Sequence, residues 1–437
     1  MKNNITIIGA GLAGSEAAWQ LANRGIHVDL WEMRPESTTP AHTTGLFGEL
    51  VCSNSLKSSV LTNACGLLKE EMRTYNSLII KAADENSLPS GAALSVDREK
   101  FAEYITEAIT SHPNINVIKG EYTDAITDDT IIATGPLTSS ALCQRLKELL
   151  GKDFLNFFDA SAPIVEADSI DLSRCFMGSR YGQGDDDYIN CPMTKDEYYA
   201  FVDALLTAEV ADVHGFEKNM VFEGCMPVEV MAQRGRDTLR FGPLKPTGFE
   251  SIDGKRPFAV VQLRSENAEN TMYNLVGFQT HLKFPEQKRV FSMIPGLENA
   301  NFMRYGVMHM NTYIDSPRLL DSCYSLKTNP SIYVAGQLSG VEGYVESAAS
   351  GLTAGICAAS RMLCDKTVTL PKESVIGALA SYVSNPGVFN FQPMNANFGI
   401  VPKLLEQLSK PEKGARYVRR SIDMTIEFIK NSYWLFN

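Results

Sequence analysis

The sequence predicts an α/β protein: a parallel-sheet domain of nucleotide-binding type split along the chain, a mixed α/β domain inserted between its parts, and a helical C-terminus. Three observations predict it. The chain opens with strand, glycine loop, helix and strand. A buried strand, then glycine and a small-residue helix, returns at Ser331 to Cys364. Between about 160 and 325 the texture shifts to strands among loops rich in Gly, Pro and charge. The expected division is 1–159 and 326–437 for the two parts of the first domain and 160–325 for the insert.

The elements follow in order. Lys2 to Ile8 reads as a buried parallel strand, Leu12 to Arg24 as a helix with Gly25 as its C-cap, and His27 to Trp31 as the next strand. Pro35 to Thr62 is a loop long enough to be functional. Helices are expected over Leu67 to Lys81 and Arg98 to Thr110, and strands over Ile115 to Lys119, Tyr122 to Ile126 and Thr130 to Thr134. The insert shows strands at Phe258 to Arg264 and Met272 to Phe278. Ser331 to Val334 and a helix from Val345 to Cys364 resume the first domain, and the chain beyond Lys372 is mostly helical around a loop at Pro386 to Asn397.

Gly9-Ala10-Gly11-Leu12-Ala13-Gly14 matches G-x-G-x-x-G between a strand and a helix. The first glycine permits the turn, the second lets a pyrophosphate approach the backbone, and the third lets the helix pack on the strand. Glu32 ends the second strand, where a carboxylate can accept hydrogen bonds from an adenosine ribose. The alternative is a glycine turn that binds nothing. Ala133-Thr134-Gly135 and Ala335-Gly336-Gln337 each close a later strand. An extended cofactor passing several strand ends favours FAD over NAD, in a Rossmann-type, glutathione-reductase-like domain.

Bulk properties narrow the classes. Apolar residues make up 44% and charged residues 21% of the 437, values of an ordinary globular protein. No run of about 18 apolar residues suggests a membrane helix, and no signal peptide precedes the first strand. The nine cysteines form no C-x-x-C pair and the six histidines no helical ligand pair, so no metal site is expected and a reducing cytoplasm is. The net charge of −11 argues against a nucleic-acid partner, but only weakly, because binding depends on one face.

Longer motifs carry a specific resemblance. They are Gly48-Glu-Leu-Val-Cys52-Ser-Asn-Ser-Leu-Lys57, Thr62 to Arg73, Phe222-Glu-Gly-Cys225-Met-Pro-Val-Glu229, Gly336 to Gly351 and Phe391 to Gly399. Together they resemble the bacterial folate- and FAD-dependent tRNA (uracil-5-)-methyltransferases, from the first strand to the C-terminal helices. The resemblance implies formation of 5-methyluridine in the T-loop of tRNA (U54), with carbon from 5,10-methylenetetrahydrofolate by way of FAD, and NADH or NADPH as reductant. It implies two working cysteines, Cys225 as the nucleophile at uracil C6 and Cys52 near the flavin, although these roles could be exchanged. No obligate protein partner is implied.

A basic stretch after Cys225 holds Arg234, Arg236, Arg240, Phe241 and Lys245, suited to phosphate contact and base stacking. Arg234 and Arg236 are also candidates for lowering the pKa of Cys225. A second cluster, Lys403, Lys410, Lys413, Arg416, Arg419 and Arg420, fits either an RNA contact or a solvated helix face. Cys143, Cys357 and Cys364 read as small buried hydrophobes. Two other functions compete: a flavoprotein modifying the tRNA wobble uridine with a partner GTPase, in a family with longer chains, and a flavin oxidoreductase acting on a small molecule. A nucleotide-binding module without chemistry fits the loop cysteines poorly.

Overall fold

The computed structural model describes residues 4–150, 154–160, 162–182, 187–211, 226–249, 256–267, 269–306, 308–388, 391–406 and 408–436. Cys225 lies outside them.

Asn4–Ile8 forms the first strand, and Ile5, Ile7 and Ile8 are all buried, as expected of a sheet covered on both faces. It lies inside a six-stranded sheet ordered Ser325–Leu326, Asn329–Val334, Thr130–Ile132, Asn4–Ile8, His27–Glu32 and Ile115–Lys119. All neighbours are parallel except the antiparallel edge pair Ser325–Leu326 and Asn329–Val334. This is the Rossmann-type arrangement expected. The order reverses between Asn4–Ile8 and Thr130–Ile132, and a ligand crevice forms outside the carboxyl ends at such a switch point.

Two helices cover one face of that sheet and are packed unusually closely. Leu12–Ala22 and Tyr344–Cys364 meet through Gly351, where a Cβ would stand 2.1 Å from Ala13 O. Gly355 makes the same kind of approach to Ala17, at 3.1 Å. Only hydrogen in place of a side chain permits this contact.

A second sheet is ordered Phe176–Met177, Tyr188–Met193, Ala259–Ser265, Met272–Leu275, Ile164–Glu166 and Phe302–Arg304, with antiparallel pairing throughout. Lys195–Leu206, Val228–Gln233 and Phe284–Phe291 are the helices beside it. Its buried side chains form a core spanning Ala162 to Ala300, separate from the core that runs from Ile5 to Leu150 and from Tyr313 to Leu435. The antiparallel pair Phe154–Ala160 and Met308–Ile314 joins the two regions.

Several sequence expectations are corrected. The helix expected over Leu67 to Lys81 is two, Ala64–Thr74 and Leu78–Glu85. Asn76 adopts a left-handed φ of 57°, and Ser77 caps the second helix through its side chain. Tyr122 to Ile126 is not a strand; the Tyr122 hydroxyl donates to Ala125 O at 3.0 Å and holds a turn instead. The strand from Met272 stops at Leu275, before Gly277 with its φ of 78°. Pro35 to Thr62 contains a short strand, Ser55–Ser58, paired with Ala93–Val96, which also pairs with Ser87–Leu88. Cys357 is buried as expected, but Cys364 is exposed at its helix end.

Candidate functional site

A cleft opens at the switch point of the parallel sheet. Its floor is the glycine loop, and its walls include Trp31 to Arg34, Tyr122, Thr134 to Ser139, Gly336, Gln337 and Tyr344. Gly9 has a φ of 98°, and a Cβ there would lie 2.8 Å from Ala133 O. At Gly14 a Cβ would fall 1.8 Å from Gly9 O. At Gly11 it would meet nothing within 4 Å. Gly11 is the N-cap of Leu12–Ala22 and has no side chain to satisfy the first turn, whose N–H groups and dipole face the cleft. The first and third glycines are thus demanded by the fold, while the second keeps open the space a diphosphate needs. This donor set and cradle fit the diphosphate of FAD.

Glu32 is placed at the cleft, but its oxygens are already engaged. Oε2 accepts from Ala10 N at 2.9 Å and Oε1 from Arg34 N and Nε at 3.0 and 2.9 Å. Burial pushes the Glu32 carboxyl up, yet the Arg34 bonds and charge outweigh it and the net shift is downward. Arg34 bridges on to Glu49 at 3.1 Å, and Glu49 pins the backbone and hydroxyls of Thr43 and Thr44. Glu32 therefore orients the loop lip as well as facing the cleft, a second task that the sequence spacing did not reveal.

The loop carrying Cys52 closes the other end. Val51 lines the cleft, and the Cys52 and Ser53 N–H groups donate to the Tyr344 hydroxyl at 2.6 and 3.2 Å. Burial, and then the charge of Cys52, push the Tyr344 phenol above its usual range. Arg98, Arg264 and Arg304 surround the same loop, and none of them was singled out from sequence. They come from three separate elements, so only the fold brings them together.

With this geometry in place, the comparisons are specific. A family model described as Glucose inhibited division protein A matches residues 4–366. The methylenetetrahydrofolate--tRNA-(uracil-5-)-methyltransferase TrmFO of Bacillus subtilis (strain 168) is 54% identical over 433 residues, covering 99% of each chain. Its counterpart from Natranaerobius thermophilus is 55% identical over 428 residues, 98% of this chain and 99% of that one. The chain belongs to this methyltransferase family. GidA of Aquifex aeolicus, in its form II crystal, superposes with a TM-score of 0.70 over 99% of this chain and 75% of that one. At 16% identity that likeness shows the shared fold alone.

In this family member the motif following Cys225 places a buried pair that sequence reading passed over. Glu229 accepts from Thr280 Oγ1 at 2.8 Å and His281 N at 3.0 Å, and its Oε1 meets His281 Nδ1. Beside the cleft, the side chain of Gln337 donates to Glu342 Oε2 at 2.6 Å, and Lys57 pairs with the buried Glu346 at 2.8 Å.

The basic segment is only partly outward. Arg236 grips both oxygens of Asp203 at 2.6 Å and lies over the Tyr199 ring. Arg240 turns inward, bonded to Phe258 O at 2.9 Å with its guanidinium 3.7 Å from that ring. Lys245 donates to the Tyr181 hydroxyl at 3.0 Å. Phe241, by contrast, is 84% exposed. In the C-terminal cluster Arg416 pairs with Glu406, and Arg420 donates to Pro402 O. No helix of the described residues is long and apolar enough to cross a membrane.

Proposed function

We propose that the chain transfers the methylene carbon of 5,10-methylenetetrahydrofolate to C5 of the T-loop uridine of tRNA, with reduction, giving 5-methyluridine. The observation that carries this is identity of 54% or more, along nearly the whole chain, to enzymes named for that reaction. The glycine cradle at Gly9 to Gly14 and the cleft it floors agree with it.

FAD, when bound, supplies carrier and redox chemistry, with NADH or NADPH as the source of electrons. The backbone of Gly9, Ala10, Gly11, Leu12, Ala13 and Gly14 would hold its diphosphate. Glu32, Gly135, Gly336 and Gln337 would line its path, since all four border the cleft. The region of the second core, 160–325, would present tRNA, with the exposed Phe241 offered to a base and Arg234, Arg236, Arg240 and Lys245 to phosphates.

The protein's own chemistry is nucleophilic. Uracil C5 reacts weakly with an electrophile until a thiolate adds to C6. Cys225 would make that bond and leave by elimination once the C5 proton is removed. Cys52, whose N–H bonds Tyr344 next to Val51 at the cleft end, would act at that proton or protect the flavin adduct. The target base must leave its stack to reach either sulfur. A cytoplasmic location agrees with a tRNA substrate and with free thiols at the eight described cysteines.

The test incubates the holoenzyme with undermodified tRNA, methylene-labelled methylenetetrahydrofolate and NADPH, then digests the RNA. Labelled 5-methyluridine is expected from the native chain and none from Cys225→Ala. Absence of product from a flavin-loaded, reducible native protein would overturn the reading.

A further inference from the structure

We propose that Arg98, Arg264 and Arg304 act as positioning residues that lock the loop around Cys52 and hold its sulfur as a thiolate. The proposal rests on reading Cys52 as part of the reaction site.

The geometry is a clamp on both sides of the cysteine. Arg98 Nη1 donates to Leu50 O at 2.7 Å, and Arg304 Nη2 donates to Val51 O at 2.6 Å. Arg264 donates through Nη2 to Ser53 Oγ at 3.1 Å and through Nε to Asn54 Oδ1 at 3.0 Å. Asn54 is fully buried and its amide donates to Val96 O and Ser265 O. The two residues before Cys52 and the two after it are thus each held by a guanidinium, while its own N–H is held by Tyr344.

Charge accounting then points to the sulfur. A guanidinium stays protonated in proteins, so the clamp carries three fixed positive charges. Among the described residues, the carboxylate bonded to the three is Glu266, which accepts from Arg98 Nη2 at 2.5 Å. Arg264 is only 7% exposed, so its charge is poorly screened. Surplus charge in such a place is costly unless an anion offsets it. Cys52 is the ionisable group enclosed by the clamp, and its charge acts favourably on all three arginines. Burial pushes Arg264 and Arg304 down, and the thiolate draws them back.

The groups facing Cys52 come from every element around it. They are Arg98 from the helix Arg98–Thr110, Arg264 from the strand Ala259–Ser265, Arg304 from the strand Phe302–Arg304, and Tyr344 from the helix Tyr344–Cys364. Glu266 stands behind Arg98, and Tyr188 acts on Arg264. Tyr344 keeps its proton, because burial and the neighbouring sulfur both favour the neutral phenol. A phenol that accepts two N–H bonds still has its own hydrogen to donate, and a thiolate is a suitable acceptor. The surroundings are electropositive and partly open, the setting in which a cysteine is reactive rather than inert.

The test measures the ionisation of one sulfur in the flavin-loaded protein. Iodoacetamide labelling of the Cys52 peptide is followed by mass spectrometry across a pH series. Ultraviolet thiolate absorbance, native minus Cys52→Ala, gives the same midpoint without needing reagent access. The expected midpoint lies below the ordinary thiol value of about 8.5. Arg304→Gln should raise it by about one unit, a tenfold change in the ionisation constant of the thiol. Arg304→Lys keeps the charge and should stay near the native midpoint. A native midpoint at or above the ordinary value would overturn the proposal. So would equal behaviour of the Gln and Lys variants, which would mean that only the tie to Val51 O matters. If Arg304→Gln loses its flavin, the pair Arg98→Gln and Arg98→Lys makes the same comparison. Failure of tRNA methylation would leave these midpoints untouched, so the two readings fail separately.

Discussion

Gly11 and Gly14 differ in what a methyl group would meet, and that difference separates folding from binding at single residues. Gly14→Ala forces a Cβ onto Gly9 O and should destabilise the chain by about 1–3 kcal/mol even without cofactor. Gly11→Ala meets open space and should leave the thermal midpoint of the apoprotein almost unchanged while weakening flavin retention. Calorimetry of the apoproteins beside flavin titration checks both, and a large midpoint loss in Gly11→Ala would contradict this division. The glycine loop was legible because its signal is local: three glycines, a strand before and a helix after. The double engagement of Glu32 was not, because Arg34 must fold back over two residues to reach it. The arginines around Cys52 were still less visible, since Arg98, Arg264 and Arg304 are remote from it along the chain and charged residues read individually as surface.

At the scale of elements, the helix break at Asn76 and Ser77 shows what periodicity misses. Apolar spacing runs through Leu67, Leu68, Met72, Leu78 and Ile79 almost unbroken, but a left-handed asparagine and a serine cap divide the run. The break lets Ser77 and Ile79 N bond Glu16 on the glycine-loop helix. Nearby, Glu71 docks the C-terminal helices: it accepts from Val375 N and Ile376 N at 2.8 Å and from the Ser421 hydroxyl. Burial pushes its carboxyl up to about 7, against the three bonds that lower it. The folded value lies above the unfolded one, so the contribution of Glu71 to stability is whole below about pH 4.5 and is lost as the pH rises to about 7. Glu71→Gln cannot ionise, so its thermal midpoint relative to the native chain should climb across that window. A constant offset at every pH would show that Glu71 does not titrate there.

On the scale of the whole molecule, a net charge of −11 must coexist with an RNA substrate. On the candidate RNA face part of the positive charge is already paired internally, as Arg236 is with Asp203. If Arg236 meets phosphate, Asp203 competes with it. Asp203→Asn should then tighten tRNA binding by about two- to fivefold at low salt, with the gain shrinking as salt rises. Filter binding over a salt series decides it, and unchanged affinity would remove Arg236 from the interface. Charge reversal at Arg234 should act oppositely, weakening binding and flattening its salt dependence. The family resemblance was readable because it is carried by long motifs spread along the chain. The three-dimensional use of those motifs was not, because the middle region lends Arg264 and Arg304 to a loop near the N-terminus.

The close seat of Gly351 on Ala13 has a consequence in time. A ribosome that has made the glycine loop needs roughly 300 more residues before the helix that braces it emerges, on the order of tens of seconds at ~5–20 residues per second. During that interval the nascent cradle lacks its back wall. Nascent chains arrested before Tyr344 should therefore retain no flavin, whereas chains extended past Cys364 should begin to.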